Sequence, residues 1–114
     1  MILNYFEPEE FKMGDLVVYD RMDHDFLLRL DNLRHDVGIP FIITSSFRTP
    51  EYNELIGGAS QSKHMEGIAV DISCTNGDDR LAIVWAAIEH GFTIGVGRTF
   101  LHLDTRQHQI IFGY

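Results

Sequence analysis

The sequence is poor in cysteine and in long apolar runs, and each shortage excludes a class of protein. A single cysteine, Cys74, in 114 residues excludes an internal disulfide. This cysteine follows the apolar stretch GIAVDIS, so we expect it to be buried as a small apolar side chain. No apolar run approaches the roughly 20 residues of a membrane-spanning helix. We therefore expect no membrane partner.

Basic residues are also scarce, which bears on the possible partners. Nine lysines and arginines stand against 17 acidic residues, for a formal net charge of −8. Such a balance disfavours binding to a phosphate backbone or to an anionic membrane, and we expect no nucleic-acid partner. The opening MILNYFEPEEF has neither a basic region nor a long apolar core. It therefore predicts no signal peptide and synthesis in the cytoplasm.

The remaining composition is that of an ordinary globular domain. Hydrophobic residues make up 45% of the chain and charged residues 23%, and the length is enough for one hydrophobic core. We predict a single domain over residues 1–114 and a monomer. Residues 1–21 are expected to be an irregular lead-in containing a short helical turn.

Periodicity predicts a mixture of helices and strands. Apolar residues recur at helical spacing from Met22, and Gly38 with Pro40 ends that helix. A second helix is expected after TNGDD, ended by Gly91. Its apolar face is predicted to consist of Leu81, Val84, Trp85 and Ile88.

Strands are predicted where β-branched and aromatic residues cluster. PFIITSS and GIAVDIS have the composition of buried strands, and between them residues 47–63 form a polar loop with one helical turn around PEYNELI. Three short strands follow: FTIGVG, FLHLD and QIIFG. Without strict βαβ alternation, the fold class is α+β, with an antiparallel sheet flanked by helices.

The segment SKHMEGIAVD carries two side chains that suit a metal. Catalytic zinc sites use three protein ligands, and histidine nitrogen and carboxylate oxygen are suitable donors. His64 would lie in the loop before a strand and Asp71 within that strand, while Gly67 allows a tight bend and Ala69 close packing. The ordinary alternatives are a hydrogen-bonded histidine at a strand start and an aspartate that caps a loop.

A third donor is expected in FLHLD. Strand alternation places His102 and Asp104 on one face and the two leucines on the other. The remaining histidines lie at predicted helix ends or in polar positions, where we expect solvation: His24, His35, His90 and His108.

Three further polar residues precede or adjoin the histidine loop. Arg48 could bind a carboxylate or a peptide carbonyl with its planar guanidinium, or form a salt bridge with one of the many acids. Ser62 could donate to a substrate or cap the loop backbone. Glu66 is expected to be a solvated surface residue.

Together these segments resemble the zinc D-alanyl-D-alanine carboxypeptidase family. That family includes phage L-alanyl-D-glutamate endolysins and shares its fold with the Hedgehog signalling domain. The resemblance lies in SSFRTPEYNELIGGASQSKHMEGIAVDI and in FLHLD, and covers roughly residues 22–105. SKHMEGIAVD matches the SxHxxGxAxD type of signature, and FLHLD supplies the late HxD. The combination is far more specific than either part.

The resemblance implies a zinc ion held by His64, Asp71 and His102, with water in the fourth position. Arg48 would be a catalytic and substrate-binding residue that holds or polarises the substrate near the reacting bond, and Ser62 would support the ligand loop or the substrate. The expected reaction is hydrolysis of a peptide bond in the stem peptides of bacterial peptidoglycan, either as a DD-carboxypeptidase or as an LD-endopeptidase. The chain would then be a zinc metallopeptidase. A phage or prophage product acting at the cell wall would suit its size.

One position departs from the family pattern. Members commonly carry an acid three residues before the last histidine ligand, and here that residue is Thr99, which cannot accept a proton at neutral pH. Asp104 could replace the acid as a catalytic base, or it could orient a ligand histidine. The departure keeps open a second hypothesis, a non-catalytic zinc-stabilised module that binds wall peptides or serves in a virion.

Overall fold

The computed structural model describes residues 3–114, which form a five-stranded sheet, a small hairpin and three α-helices. In chain order the elements are β1 (Lys12–Met13), β2 (Leu16–Val17), α1 (His24–Val37), β3 (Ile42–Ser45), α2 (Pro50–Leu55), β4 (Ala69–Ser73), α3 (Gly77–Glu89), β5 (Thr93–Val96), β6 (Phe100–Asp104) and β7 (Ile111–Gly113). Short 3₁₀ turns cover Pro8–Glu10, Tyr19–Arg21 and Lys63–Glu66. No helix within 3–114 is long and apolar enough to cross a membrane.

The predicted α+β class is confirmed, but the sheet is mixed rather than antiparallel. Its order is β3-β4-β6-β5-β7. The pairs β3–β4, β4–β6 and β5–β6 are antiparallel, whereas β7 runs parallel to β5 at the edge. The end of β6 and the start of β7 both lie at the Thr93 end of β5, so residues 105–110 only have to pass that end of the strand.

The two faces of the central strands differ in chemistry. Leu101 and Leu103 of β6 are fully buried, as are Val70 and, almost fully, Ile72 of β4. These side chains join one apolar cluster with the buried faces of α1 and α3. The intervening residues of both strands point to the other side of the sheet. The sheet is therefore a partition between the core and a polar face.

Local signals account for the helix ends. The Asp23 carboxylate accepts a hydrogen bond from the Phe26 amide at 2.9 Å, which caps α1. Gly38 takes the left-handed conformation after it, with φ of 76°, as predicted. Thr49 and Asn76 cap α2 and α3 in the same way as Asp23.

The predicted apolar face of α3 is wrong for three of its four residues. Leu81, Trp85 and Ile88 are exposed, whereas Val84 is partly buried and packs against the core. Ile83 and Ala87 are the buried residues of this helix. Apolar residues occur on most sides of α3, so their period does not select one face.

Two other predictions also need correction. PFIITSS was expected to be a buried strand, but β3 is an edge strand whose Ile42 is exposed. The lead-in is more ordered than expected, since it contains the β1–β2 hairpin and supplies Phe6, Phe11 and Val18 to the core. Residues 1–2 lie outside the described part. Cys74 is buried, as predicted.

Candidate metal centre

The polar face of the sheet brings two candidate ligands directly opposite each other. Asp71 of β4 and His102 of β6 are register partners in an antiparallel ladder. The Oδ1 atom of Asp71 lies 3.1 Å from Nδ1 of His102. Residues 31 positions apart in sequence are thus neighbours because β4 and β6 pair.

His64 reaches the same point from the 3₁₀ turn Lys63–Glu66. Ser62 caps this turn, and its Oγ accepts a hydrogen bond from the His64 amide at 3.3 Å. Gly67 ends the turn with φ of 73°, and a Cβ there would lie 2.5 Å from the Arg21 carbonyl oxygen. Only glycine fits this bend without displacing the chain before α1. The Nε2 atom of His64 then lies 3.2 Å from Oδ1 of Asp71.

Hydrogen bonds on the outer side of each ring determine which nitrogen faces the centre. His64 Nδ1 lies 2.8 Å from the Ser46 carbonyl oxygen, which can only accept, so Nδ1 carries the hydrogen. His102 Nε2 lies 2.7 Å from Oδ2 of Asp104, a carboxylate that also binds the Arg106 guanidinium. His102 Nε2 therefore donates as well. In their neutral forms both rings direct a lone pair at the Asp71 carboxylate.

Three electron-rich atoms that converge in this way repel one another unless a metal ion or a proton lies between them. The donors of His64, Asp71 and His102 all lie within 4.8 Å of one another, and all three side chains are buried. Two imidazole nitrogens and one carboxylate oxygen form a donor set that zinc accepts, and oriented histidines with carboxylate or carbonyl partners are typical of such sites. The residues present fit a metal ion.

The titration of the site follows from the same contacts. Burial opposes ionisation of Asp71, but His102 and His64, which donate hydrogen bonds to it when they are protonated, outweigh burial and hold the pKa of Asp71 well below its usual range. Burial likewise lowers the pKa of His102, while hydrogen bonds to Asp104 and Asp71 raise it to a net value above normal. The lowered pKa keeps Asp71 negatively charged, so it attracts a cation. The raised pKa of His102 shows that a positive charge is also favoured at that ring.

Arg48 lies beside this centre, as the sequence suggested. Its Nη2 is 3.5 Å from Oδ2 of Asp71, and its Nε donates to the Ser45 hydroxyl at 3.1 Å. Its Nη1 donates to Oδ1 of Asn53 at 3.1 Å. Three contacts hold the guanidinium at the mouth of a cavity of about 720 Å³, which the three candidate ligands also line.

Asn53 helps to hold the Arg48 guanidinium in place, and no prediction from the sequence included it. Its side chain is buried, and its Nδ2 donates to the Ala59 carbonyl at 2.8 Å. A Cβ at Gly58 would lie 2.0 Å from Asn53 Oδ1 and 3.0 Å from Arg48 Nη1. We call Arg48, Asn53 and Gly58 the Asn53 unit. An asparagine between the arginine and the Gly57-Gly58 pair is the sequence feature that could have predicted it.

The other candidate acids do not face the cavity. Asp104 is fully buried behind His102, where Arg106 contacts both of its oxygens. Glu66 pairs with Lys63 at 2.9 Å, and Thr99 is exposed in the turn between β5 and β6. Among residues 3–114, Asp71 is the one carboxylate that lines this cavity.

A family model described as Peptidase M15 matches residues 4–104. The chain belongs to the peptidase M15 family. This confirms the family predicted from SKHMEGIAVD and FLHLD, and both segments lie within the match. It also covers nearly all of the fold described above, from the lead-in to the end of β6.

One similar protein sequence and one similar solved structure add to the family match. A zinc D-Ala-D-Ala carboxypeptidase of Streptomyces albus G is 38% identical over 66 residues, which are 57% of this chain but 26% of the relative. The chain thus spans about a quarter of that relative's length. The crystal structure of Serratia marcescens L-Ala D-Glu endopeptidase ChiX superposes with a TM-score of 0.51 at 18% identity, covering 75% of this chain and 80% of that one. It shows the same fold.

Proposed function

We propose that this M15 family member is a zinc-dependent peptidase that hydrolyses a peptide bond in peptidoglycan stem peptides. The observation that carries the proposal is the convergence of His64 Nε2, Asp71 Oδ1 and His102 Nδ1 within 4.8 Å. These three residues are the proposed zinc ligands. The named relatives supply the substrate class, since one is a D-Ala-D-Ala carboxypeptidase and the other an L-Ala D-Glu endopeptidase.

The residues around the centre have separate proposed tasks. Bound zinc would supply an activated water and polarise a carbonyl. Asp104 holds His102 in the tautomer whose Nδ1 is free, and Arg106 keeps Asp104 ionised by contacting both oxygens. Asp104 is therefore proposed as a positioning residue, because its burial separates it from the cavity.

Arg48 and Ser62 are the proposed substrate contacts. The Arg48 guanidinium lines the cavity next to Asp71, where it can donate to a peptide carbonyl or a terminal carboxylate. Ser62 also lines the cavity, although its hydroxyl oxygen already accepts from the His64 amide. A hydroxyl can accept one hydrogen bond and still donate another. The site of action would be the cell wall, where this substrate is found; origin from a phage stays a prediction.

One experiment tests the proposal. Purified protein is assayed for bound metal, and then incubated with zinc and two synthetic stem peptides, one with a D-Ala-D-Ala bond and one with an L-Ala-D-Glu bond. We expect stoichiometric zinc and cleavage of one of the two peptides, read by mass spectrometry. Zinc binding without cleavage of either peptide at any pH contradicts the peptidase.

A second candidate function is favoured by one observation. Thr99 occupies the position of the family acid, and the cavity lining in 3–114 offers no carboxylate besides the proposed ligand Asp71. A zinc-stabilised module that binds wall peptides without cutting them fits that arrangement. With the same two peptides it predicts binding to the zinc-loaded protein, measured by calorimetry, without turnover.

A further inference from the structure

One wall of the cavity is built from three aromatic rings. Phe100, Phe112 and Tyr114 all line it, and we call these residues the aromatic wall. The ring centroids of Phe100 and Tyr114 are 4.9 Å apart, and those of Phe112 and Tyr114 are 5.5 Å apart. The rings are therefore in mutual contact and form one apolar surface.

Two glycines, one in β5 and one directly after it, make room for these rings. A Cβ at Gly95 would lie 2.7 Å from the Phe112 ring and 2.9 Å from the Tyr114 ring, and one at Gly97 would lie 2.3 Å from the Phe100 ring. Gly95 is the register partner of both Phe112 and His102. Phe112 thus lies across Gly95 towards His102, with ring centroids 5.6 Å apart.

Two of the three rings of the aromatic wall lie outside the residues that the family model matches. The M15 match ends at residue 104, whereas Phe112 and Tyr114 are on or next to β7. Tyr114 leaves 72% of its surface exposed, so close packing in the core does not explain its ring. Residues beside a catalytic centre, rather than the centre itself, commonly determine selectivity.

The cavity is also lined by cations, although the chain carries a net charge of −8. Arg48, Lys63 and Arg106 all line it, and the Arg106 guanidinium lies 5.4 Å from the centroid of the Phe112 ring. A ligand that combines carboxylates with hydrocarbon groups would match both kinds of lining. Stem peptides have this chemistry, since they carry free carboxylates, methyl groups and a long aliphatic side chain.

We propose that the aromatic wall is a substrate subsite that binds the hydrocarbon part of the wall peptide. This inference rests on the proposed function and names the part of the substrate that β7 selects. The long aliphatic side chain at the third stem position is the group with most apolar surface to bury against the rings. The carboxylates of the peptide would then pair with the cations that line the same cavity.

Tyr114→Ala is the direct test, because this ring is exposed and its loss leaves the core intact. We expect KM for a stem peptide with lysine at the third position to rise about tenfold, with kcat little changed. Tyr114→Phe should behave like the unchanged protein, because the ring supplies the contact. Ile111→Ala is the matched control, since Ile111 is an exposed residue on the other face of β7.

A second peptide makes the test specific. With glycine at the third position, the peptide lacks the group that the wall binds, so Tyr114→Ala should change its KM by less than about twofold. Equal KM values for Tyr114→Ala and the unchanged protein with the lysine peptide would overturn the subsite. So would a tenfold rise shared by Tyr114→Phe or by Ile111→Ala.

Binding measured by calorimetry separates this inference from the proposed function. If the unchanged protein cleaves neither peptide, the peptidase is contradicted, but the lysine peptide can still be titrated into the zinc-loaded protein. Weaker binding by Tyr114→Ala and unchanged binding by Ile111→Ala would support the subsite. Equal binding by all three would overturn it.

Discussion

The metal centre and the aromatic wall line one cavity, but they differ in burial and in how firmly their side chains are held. At the centre, His64, Asp71 and His102 are buried and each ring nitrogen has a partner. No buried side-chain nitrogen or oxygen in the described residues lacks one. The wall instead exposes Tyr114, which directly follows the edge strand β7. The difference suggests that chemistry requires exact geometry, whereas selectivity tolerates an open and adjustable surface.

The largest effect is expected from removing charge at the centre. Asp71→Asn keeps the side-chain shape but replaces the anion on which both histidines converge, so we expect loss of zinc and of detectable turnover. The wall should remain folded, with a native circular dichroism spectrum. Asp36→Asn, at an exposed acid that pairs with His90, is the control. Full zinc content in Asp71→Asn would exclude Asp71 as a ligand.

A smaller effect is expected one step behind the ligands. Asp104→Asn weakens the hydrogen bond that fixes the His102 tautomer and leaves Arg106 without its ion partner. We expect zinc affinity, measured by competition with a chelator, to fall about 10- to 100-fold. Unchanged affinity with lost turnover would instead support Asp104 as the catalytic base.

The Asn53 unit should have an intermediate effect on stability. Asn53→Ala removes the acceptor for Arg48, and Gly58→Ala drives a Cβ into the Asn53 amide. Each should cost about 1–3 kcal/mol in the free energy of unfolding. The double variant should cost less than the sum, because the clash needs both side chains.

Gly77→Ala is the matched glycine control, since a Cβ at Gly77 meets no atom within 4 Å. Chemical denaturation gives the free energy of unfolding of the unchanged protein and of these four variants. Strictly additive losses for Asn53→Ala and Gly58→Ala would show that the two residues do not act through each other.

The smallest expected effect concerns pH. The raised pKa of His102 means that its proton stabilises the metal-free fold below about pH 6.5 and that this contribution is lost as pH rises through the folded value. Zinc needs the same nitrogen without its proton. The melting temperature gained on adding zinc should therefore increase from about pH 6 to about pH 8. A gain that shrinks over this range would contradict the assigned ligand nitrogen.

The sequence predicted the centre better than its surroundings. His64, Asp71 and His102 were identifiable because their spacing forms a family pattern, and the alternation of FLHLD placed His102 opposite the leucines. The Ser46 carbonyl that orients His64 could not be predicted, since a backbone atom leaves no mark in residue types. Arg106 was missed because its contact with Asp104 depends on the turn after β6.

The fold was predictable where capping residues mark the ends of a helix, and not where apolar residues occur on several sides of it. Asp23 and Gly38 delimit α1 through capping chemistry that is local in sequence. The buried side of α3 depends instead on which residues meet the sheet, and Trp85 was assigned to the wrong side. Burial is a property of the whole packing arrangement, which periodicity alone does not contain.

The position of β7 has a consequence for how such proteins diverge. It pairs with β5 alone, at the border of the sheet, and none of its hydrogen bonds belongs to the β4–β6 ladder that holds Asp71 and His102. Residues 107–114 could therefore vary without altering the hydrogen bonds that orient the ligand residues, whereas Arg106 could not, because it contacts Asp104 behind His102. Two related proteins could keep the same metal centre and differ in the surface beside it through changes to these eight residues.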